Sequence, residues 1–330
     1  MKAEPRRLAR ALALTALVML AAPVVFAQTA ETPSPTPTPQ LSKVGLTVRD
    51  NKGRAVEDLA REDVRLFEDG AERPVGSFEK EQTPLSYGLV VDNSGSLRSQ
   101  INYAVASAKF MAASNRPGDE TFVLRFVSSD RIQMLQDMTG DADAVQRALD
   151  QMYIEGGQTA LFDALYLAAD YLVKNSKASD GPVRRRALVL VSDGEDRRSS
   201  YKLEEVLKLL RDGDIQVFCI GLIGALDRQD GFTMKSKREK AEATLKRLAD
   251  ETGGRAFFPA RVNELREAAE EIVGEFRAQY VVGYAPAKPS GKLEVKLAES
   301  KGKEKRKAFV RTGKAAAGPD TSNEKKKGGQ

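Results

Sequence analysis

Residues 84–277 alternate apolar strands with amphipathic helices, and short strand-and-turn segments lie on either side of them. This predicts an α/β fold: an open, doubly wound, mostly parallel sheet with an additional small β-domain built from the flanking segments. The runs 87–91 and 187–191 are continuously apolar, the pattern of strands buried on both faces, and each ends in a polar loop. With 330 residues, 41% hydrophobic and 30% charged, the chain can bury a sizeable core.

Composition narrows the chemistry. The chain has no histidine, no tryptophan and one cysteine, which excludes a Ser-His-Asp triad, a Cys-His pair, His- or Cys-built zinc and iron-sulfur sites, and an internal disulfide. The net charge of +5 comprises +3 at residues 1–27 and +7 at 301–330, so residues 28–300 carry −5. The basic balance belongs to the ends, and no nucleic-acid partner is expected.

In chain order, Lys2, Arg6, Arg7 and Arg10 precede the apolar run 11–22, and Val25 and Ala27 occupy the −3 and −1 positions of a cut before Gln28. Residues 1–27 therefore read as a signal peptide, with an uncleaved anchor as the alternative. Export places the protein in the periplasm or outside the cell. Residues 28–40, with Pro33, Pro35, Pro37 and Pro39, form a semi-rigid linker. Residues 41–83 hold half-buried strands at 44–49, 64–68 and 74–78, joined by the turns 50–53 and 69–70.

The segment 84–277 then runs strand 87–91, a helix carrying Leu97, Ile101, Val105, Ala108 and Ala112, strands 122–127 and 132–135, and helices 144–152 and 161–173. Strand 187–191, a helix near 203–210, strand 215–222, helix 241–248, strand 256–258 and helix 262–277 complete it. Strands 279–284, 293–297 and 308–311 lie in residues 278–313 and are expected to join 41–83 in one β-domain; two separate β-appendages are the alternative. Residues 314–330 read as a lysine-rich disordered tail. Membrane contact is expected only through the signal peptide or basic tail. Cys219 sits in an apolar strand and reads as a buried hydrophobe, and the run Arg184-Arg185-Arg186 reads as a solvated edge.

Three loops of the α/β segment collect hydroxyls and carboxylates where open sheets bind ligands, beyond the carboxyl ends of strands. They hold Asp92, Ser94 and Ser96; Thr159; and Asp193. Oxygen donors without nitrogen or sulfur suit a hard divalent cation, Mg²⁺ first, with Mn²⁺ and Ca²⁺ as alternatives. With only Asp92 and Asp193 supplying charge, such an ion stays electrophilic enough to take a carboxylate from another molecule. Helix capping is the competing explanation for Ser96, Thr159 and Asp193.

Asp92-x-Ser94-x-Ser96, Thr159 in a Gly-Gly-x-Thr-Ala loop and Asp193 in Ser-Asp-Gly resemble the metal-ion-dependent adhesion site (MIDAS) of von Willebrand factor type A (VWA) domains. The resemblance covers residues 84–277, and the flanking segments are similar to a bacterial secreted group related to that domain. It implies direct ligation by Ser94 and Ser96, direct or water-mediated ligation by Thr159, and largely water-mediated roles for Asp92 and Asp193. It further implies movement of helix 262–277 on ligand capture. The partner would be a protein or cell-surface ligand offering an Asp or Glu carboxylate, and the protein would not be an enzyme. The alternatives are a metal-dependent phosphohydrolase-like enzyme, opposed by the absence of an acid at Ser94, and a structural component of an envelope assembly. Asn93, Glu195 and Asp196 acquire no role from the sequence.

Overall fold

The computed structural model describes residues 41–176, 184–226, 236–288, 291–298 and 305–310. The expected signal peptide, linker and lysine-rich tail lie outside these residues. Four strands come first: β1 (Ser42–Arg49), β2 (Val64–Glu68), β3 (Ala71–Arg73) and β4 (Val75–Lys80). The alternating unit follows as β5 (Leu85–Asp92), α1 (Ile101–Ala113), β6 (Glu120–Phe126), β7 (Ile132–Thr139), α2 (Ala142–Leu149) and α3 (Leu161–Asn175). It continues through β8 (Arg185–Ser192), α4 (Leu203–Asp212), β9 (Ile215–Gly221), α5 (Lys237–Asp250), β10 (Arg255–Phe257) and α6 (Val262–Arg277). The last strands are β11 (Gln279–Tyr284), β12 (Leu293–Leu297) and β13 (Lys307–Val310).

The central sheet has the order β10-β9-β8-β5-β6-β7, parallel throughout except for the antiparallel edge strand β7. Side chains alternate across it with the strand period of two. Leu89 and Val91 of β5, Val189 of β8 and Phe218 of β9 pack against α1, α2 and α6. Val90, Leu188, Leu190, Val217 and Cys219 point to the other face and pack against α3, α4 and α5. This is the doubly wound arrangement, and each fully buried Leu or Val contributes about 1.5–3 kcal/mol. Gly88 makes room for it: a Cβ there would lie 2.2 Å from the Phe122 ring. The chain passes from β5 to β6 on one side and later returns to β8 on the other, which opens a crevice at the carboxyl ends of β5 and β8.

The flanking strands pair with each other. β1 lies antiparallel between β11 and β13, and β11 pairs with β4, giving the sheet β13-β1-β11-β4. β12, β2 and β3 form a second sheet. Leu46, Val48, Val64, Tyr280 and Val282 fill the space between them, and the Tyr280 hydroxyl donates to the Val56 carbonyl at 3.0 Å. One residue, Ala278, separates α6 from β11.

At the amino ends of the central strands this β-unit meets the α/β unit through buried charge. The Arg49 guanidinium grips Glu275 of α6 with two bonds of 2.9 and 2.7 Å and also donates to the Gly254 carbonyl. Arg255 bridges Glu271 and the Gly53 carbonyl, and the Gln279 amide donates to Gln216 at 2.8 Å.

Several expectations change in detail: the helix expected at 144–152 is α2 at Ala142–Leu149, the strand at 132–135 runs on to Thr139 as β7, and Leu97 lies in a 3-10 turn ahead of α1. Helix α5 begins at Lys237 rather than 241, because Ser236 and Glu239 form a capping box ahead of a polar first turn that carries no apolar signal. The strand expected at 74–78 is β4, at Val75–Lys80, and the short β3 at Ala71–Arg73 precedes it unforeseen, since three residues are too few to show alternation. The arginine run is no solvated edge: Arg184 donates to Gly118 O, Arg185 to Thr83 O and Phe276 O, and Arg186 to Gly213 O. Long side chains carry their charge to carbonyls that the sequence cannot locate.

Candidate functional site

Asp92 is the last residue of β5 and is fully buried. Its Oδ1 accepts the Ser94 amide at 2.8 Å, turning the chain sharply off the strand, and its Oδ2 accepts the Ser192 hydroxyl at 2.8 Å. The first loop is thus pinned to the end of β8. The Ser94 and Ser96 hydroxyls lie 2.9 Å apart.

On the third loop, Asp193 Oδ1 accepts the Glu195 amide at 3.0 Å. Gly194 has φ +79°, and a Cβ on it would lie 2.8 Å from Leu245, so only glycine lets the loop turn there.

Burial pushes the Asp92 carboxyl up to about 6; the charge of Asp193 adds to this, while the Ser94 and Ser192 bonds oppose it. Asp193 is also raised, first by burial and further by Glu195, against hydrogen bonding from Ser96 and the Glu195 amide and the charge of Arg197. The folded chain thus holds two like charges close together, out of water. A cation between them would relieve both.

Thr159 is buried, and its carbonyl accepts the Arg197 and Arg198 amides at 2.8 and 3.3 Å, which straps the second loop to the third. Among the described residues no hydrogen bond joins its hydroxyl to the other four site residues. The structure therefore gathers Asp92, Ser94, Ser96 and Asp193 by contacts and charge, and Thr159 through its loop.

Capping does not account for these residues. The N-caps of α1, α3 and α4 are Gln100, Ala160 and Lys202, and Ser94, which precedes a 3-10 turn at Gly95–Leu97, makes no side-chain cap bond. The hydroxyls are free of that duty. Among the described residues no three His, Cys, Asp or Glu side chains gather as a metal cluster, so any ion here depends on hydroxyls beside the two carboxylates. That all-oxygen set fits a hard divalent cation.

The structure also finds work for residues that the sequence left without any. Ser199 Oγ accepts the amides of Phe162 and Asp163 at 3.0 and 3.1 Å, and Asp196 Oδ1 accepts that of Phe162 at 3.3 Å. The third loop thus caps α3 from outside. Asp163 answers by accepting the Ser200 and Tyr201 amides at 2.8 and 2.9 Å. Asn93 ties the first loop to the second: its side-chain amide donates to Tyr153 O at 3.1 Å, and its carbonyl accepts the Glu155 amide at 2.8 Å. Glu195 pairs with Arg197. An Asp and a Ser three apart resemble a cap signal, but the helix they cap lies more than thirty residues upstream.

Comparison with known proteins adds the following. Among solved structures, the chain is similar to the conserved hypothetical protein BatB from Bacteroides thetaiotaomicron, at 18% identity over 57% of this chain and 97% of that one, TM-score 0.45. It is similar to an aerotolerance-related membrane protein from Bacteroides fragilis, at 19% identity over 57% of this chain and 98% of that one, TM-score 0.44. A von Willebrand factor type A protein from Catenulispora acidiphila matches at 16% identity over 72% of this chain and 51% of that one, TM-score 0.47. No curated protein matches. The family model of the von Willebrand factor type A domain matches residues 88–271, more than half of the sequence and the span that carries all three site loops. The chain belongs to the von Willebrand factor type A domain family.

Proposed function

We propose that the protein is an exported binding module that captures a protein or cell-surface ligand at a MIDAS, through a divalent cation, most simply Mg²⁺. Ser94, Ser96 and Thr159 would offer hydroxyl oxygens to the ion, and Asp92 and Asp193 the negative charge. The bound ion would supply a positive centre for a ligand Asp or Glu carboxylate. The observation that carries this reading is the pair of buried carboxylates at adjacent strand ends, each raised by burial and Asp92 further by the charge of Asp193, flanked by hydroxyls that no helix end uses. It is read as a module without turnover, since Ser94 stands where a phosphohydrolase would need its acid.

The chain's own residues prepare the site. Ser192 and the Ser94 amide fix the Asp92 carboxylate, and the Asp196–Ser199 clamp on α3 holds the Thr159 loop against the Asp193 loop. We further read 41–83 and 278–313 as one β-domain, to which α6 would report ligand capture through Ala278 and the Arg49–Glu275 pair. Periplasmic or extracellular placement rests on the leading segment. Among the described residues no helix is long and apolar enough to cross a membrane.

The test is a pull-down from envelope extract with the full chain, in Mg²⁺ and in EDTA, beside Asp92→Ala. A partner retained in Mg²⁺ and lost in both other arms is expected. Retention by all three overturns the reading.

A further inference from the structure

Beside the Asp92 loop stands a buried positive charge with no negative partner. Arg125, on β6 opposite Val91, is nine-tenths buried, yet no ion pair reaches it among the described residues. Its Nε and Nη2 donate to Gln133 Oε1 at 3.1 and 2.8 Å, and Nη2 also donates to the Tyr153 hydroxyl at 2.6 Å. Nη1 is buried and has no hydrogen-bond partner. Buried guanidinium groups are ordinarily matched by carboxylates with their donors satisfied, so the shortfall is chemical as well as geometric.

What covers Arg125 is easily moved. The Tyr153 ring lies 4.1 Å over the guanidinium but is 52% exposed, and Gln133 is also a surface residue. The neighbours Met152 and Ile154 pack into the core, so the Tyr153 side chain can swing while its backbone stays. That backbone is fixed to the candidate site, because its carbonyl holds the Asn93 side chain. The Asn93 Oδ1 is a second buried atom without a partner on the same junction.

We propose that Arg125, lidded by Tyr153, is an anion subsite that takes a second carboxylate, so that the captured partner presents two acidic groups. This rests on the reading of the Asp92–Asp193 site as the place where an ion takes the first. Displacing Tyr153 would trade one ring contact and one neutral acceptor for a charge-assisted, bidentate pair.

The test is an NMR titration of the full chain with glutarate, adipate and pimelate against the matched monocarboxylates valerate, hexanoate and heptanoate, in Mg²⁺ and in EDTA. At one chain length at least, the diacid should bind about tenfold more tightly than its monoacid. Arg125→Met should abolish that advantage and Tyr153→Ala enlarge it. Equal affinities at every length, or an advantage that Arg125→Met retains, overturn the subsite. Should Arg125→Met fail to fold, Tyr153→Ala decides: tighter diacid binding supports the lid, and unchanged or weaker binding overturns it. Monoacid binding indifferent to EDTA overturns the metal reading alone, while an Arg125-dependent diacid response in EDTA still supports the subsite.

Discussion

At the amino ends of the central strands, Arg49 meets Glu275, Arg277 meets Asp119 at 2.8 Å, and Arg184, Arg185 and Arg186 give their donors to carbonyls. At the carboxyl ends of the same strands, Asp92 feels the charge of Asp193, and Arg125 has no carboxylate partner among the described residues. The end of the sheet that joins the β-unit thus holds two buried ion pairs, Arg49–Glu275 and Arg277–Asp119, whereas the end where its loops open holds two like charges and a guanidinium matched only by neutral acceptors. Matched buried charge fixes one structure, whereas unmatched buried charge is a standing affinity for something else.

The comparison breaks most sharply at Glu275. Its replacement by alanine strands Arg49 in the interface and should cost about 3–5 kcal/mol in urea unfolding. Asp92→Asn, at the other end, removes a repulsion, so stability without metal should be unchanged or higher. Wild type should gain about 2.7 kcal/mol at Mg²⁺ a hundredfold above its dissociation constant, and Asp92→Asn should gain nothing. Equal losses from the two substitutions would erase the distinction between the ends.

The next effect depends on pH. Burial raises the Asp119 carboxyl, but the Leu85 and Arg116 amides and the Arg277 guanidinium outweigh it and hold the group below its ordinary value of 3.8. Its contribution is complete above that value and is lost as pH falls through the lower folded value, from roughly pH 4 downward. Asp119→Asn should cost about 2 kcal/mol at pH 7 and flatten the acid limb of the stability curve. Thermal melts between pH 2 and 7 check both.

The smallest effect sharpens the comparison at the site end. Ser199→Ala removes the outside cap of α3 and should cost about 1 kcal/mol. Since the clamp also positions the Thr159 loop, Mg²⁺ affinity measured by calorimetry should fall further than this loss of stability alone would bring about. Unchanged affinity would make the clamp purely structural.

Much of the fold was readable because burial on two faces leaves an unmistakable mark. The runs 87–91 and 187–191 became β5 and β8, and α6, β2, β11 and β12 have the bounds that their periodicity gives. The oxygen-rich loops were legible as positions in sequence, since strand ends and turn residues are local features. The Asp163, Asp196 and Ser199 clamp was not, because it satisfies the orphan amides of one helix from a loop that only the folded sheet brings near. Arg125 was hidden for a different reason: a single charge in an apolar strand reads as an outward-facing residue, and only packing reveals the burial of its guanidinium.

β1 and β13 run antiparallel, with Leu46 opposite Val310 and Arg49 opposite Lys307. Ser42 and Val310 therefore leave this pair toward the same end. Tension applied through the chain on either side opens the pair like a zip, one rung after another, instead of shearing all rungs at once. β11, whose Tyr284 faces Ser42, is loaded next in the same sense. A load on this sheet would therefore be spent one pair of facing residues at a time.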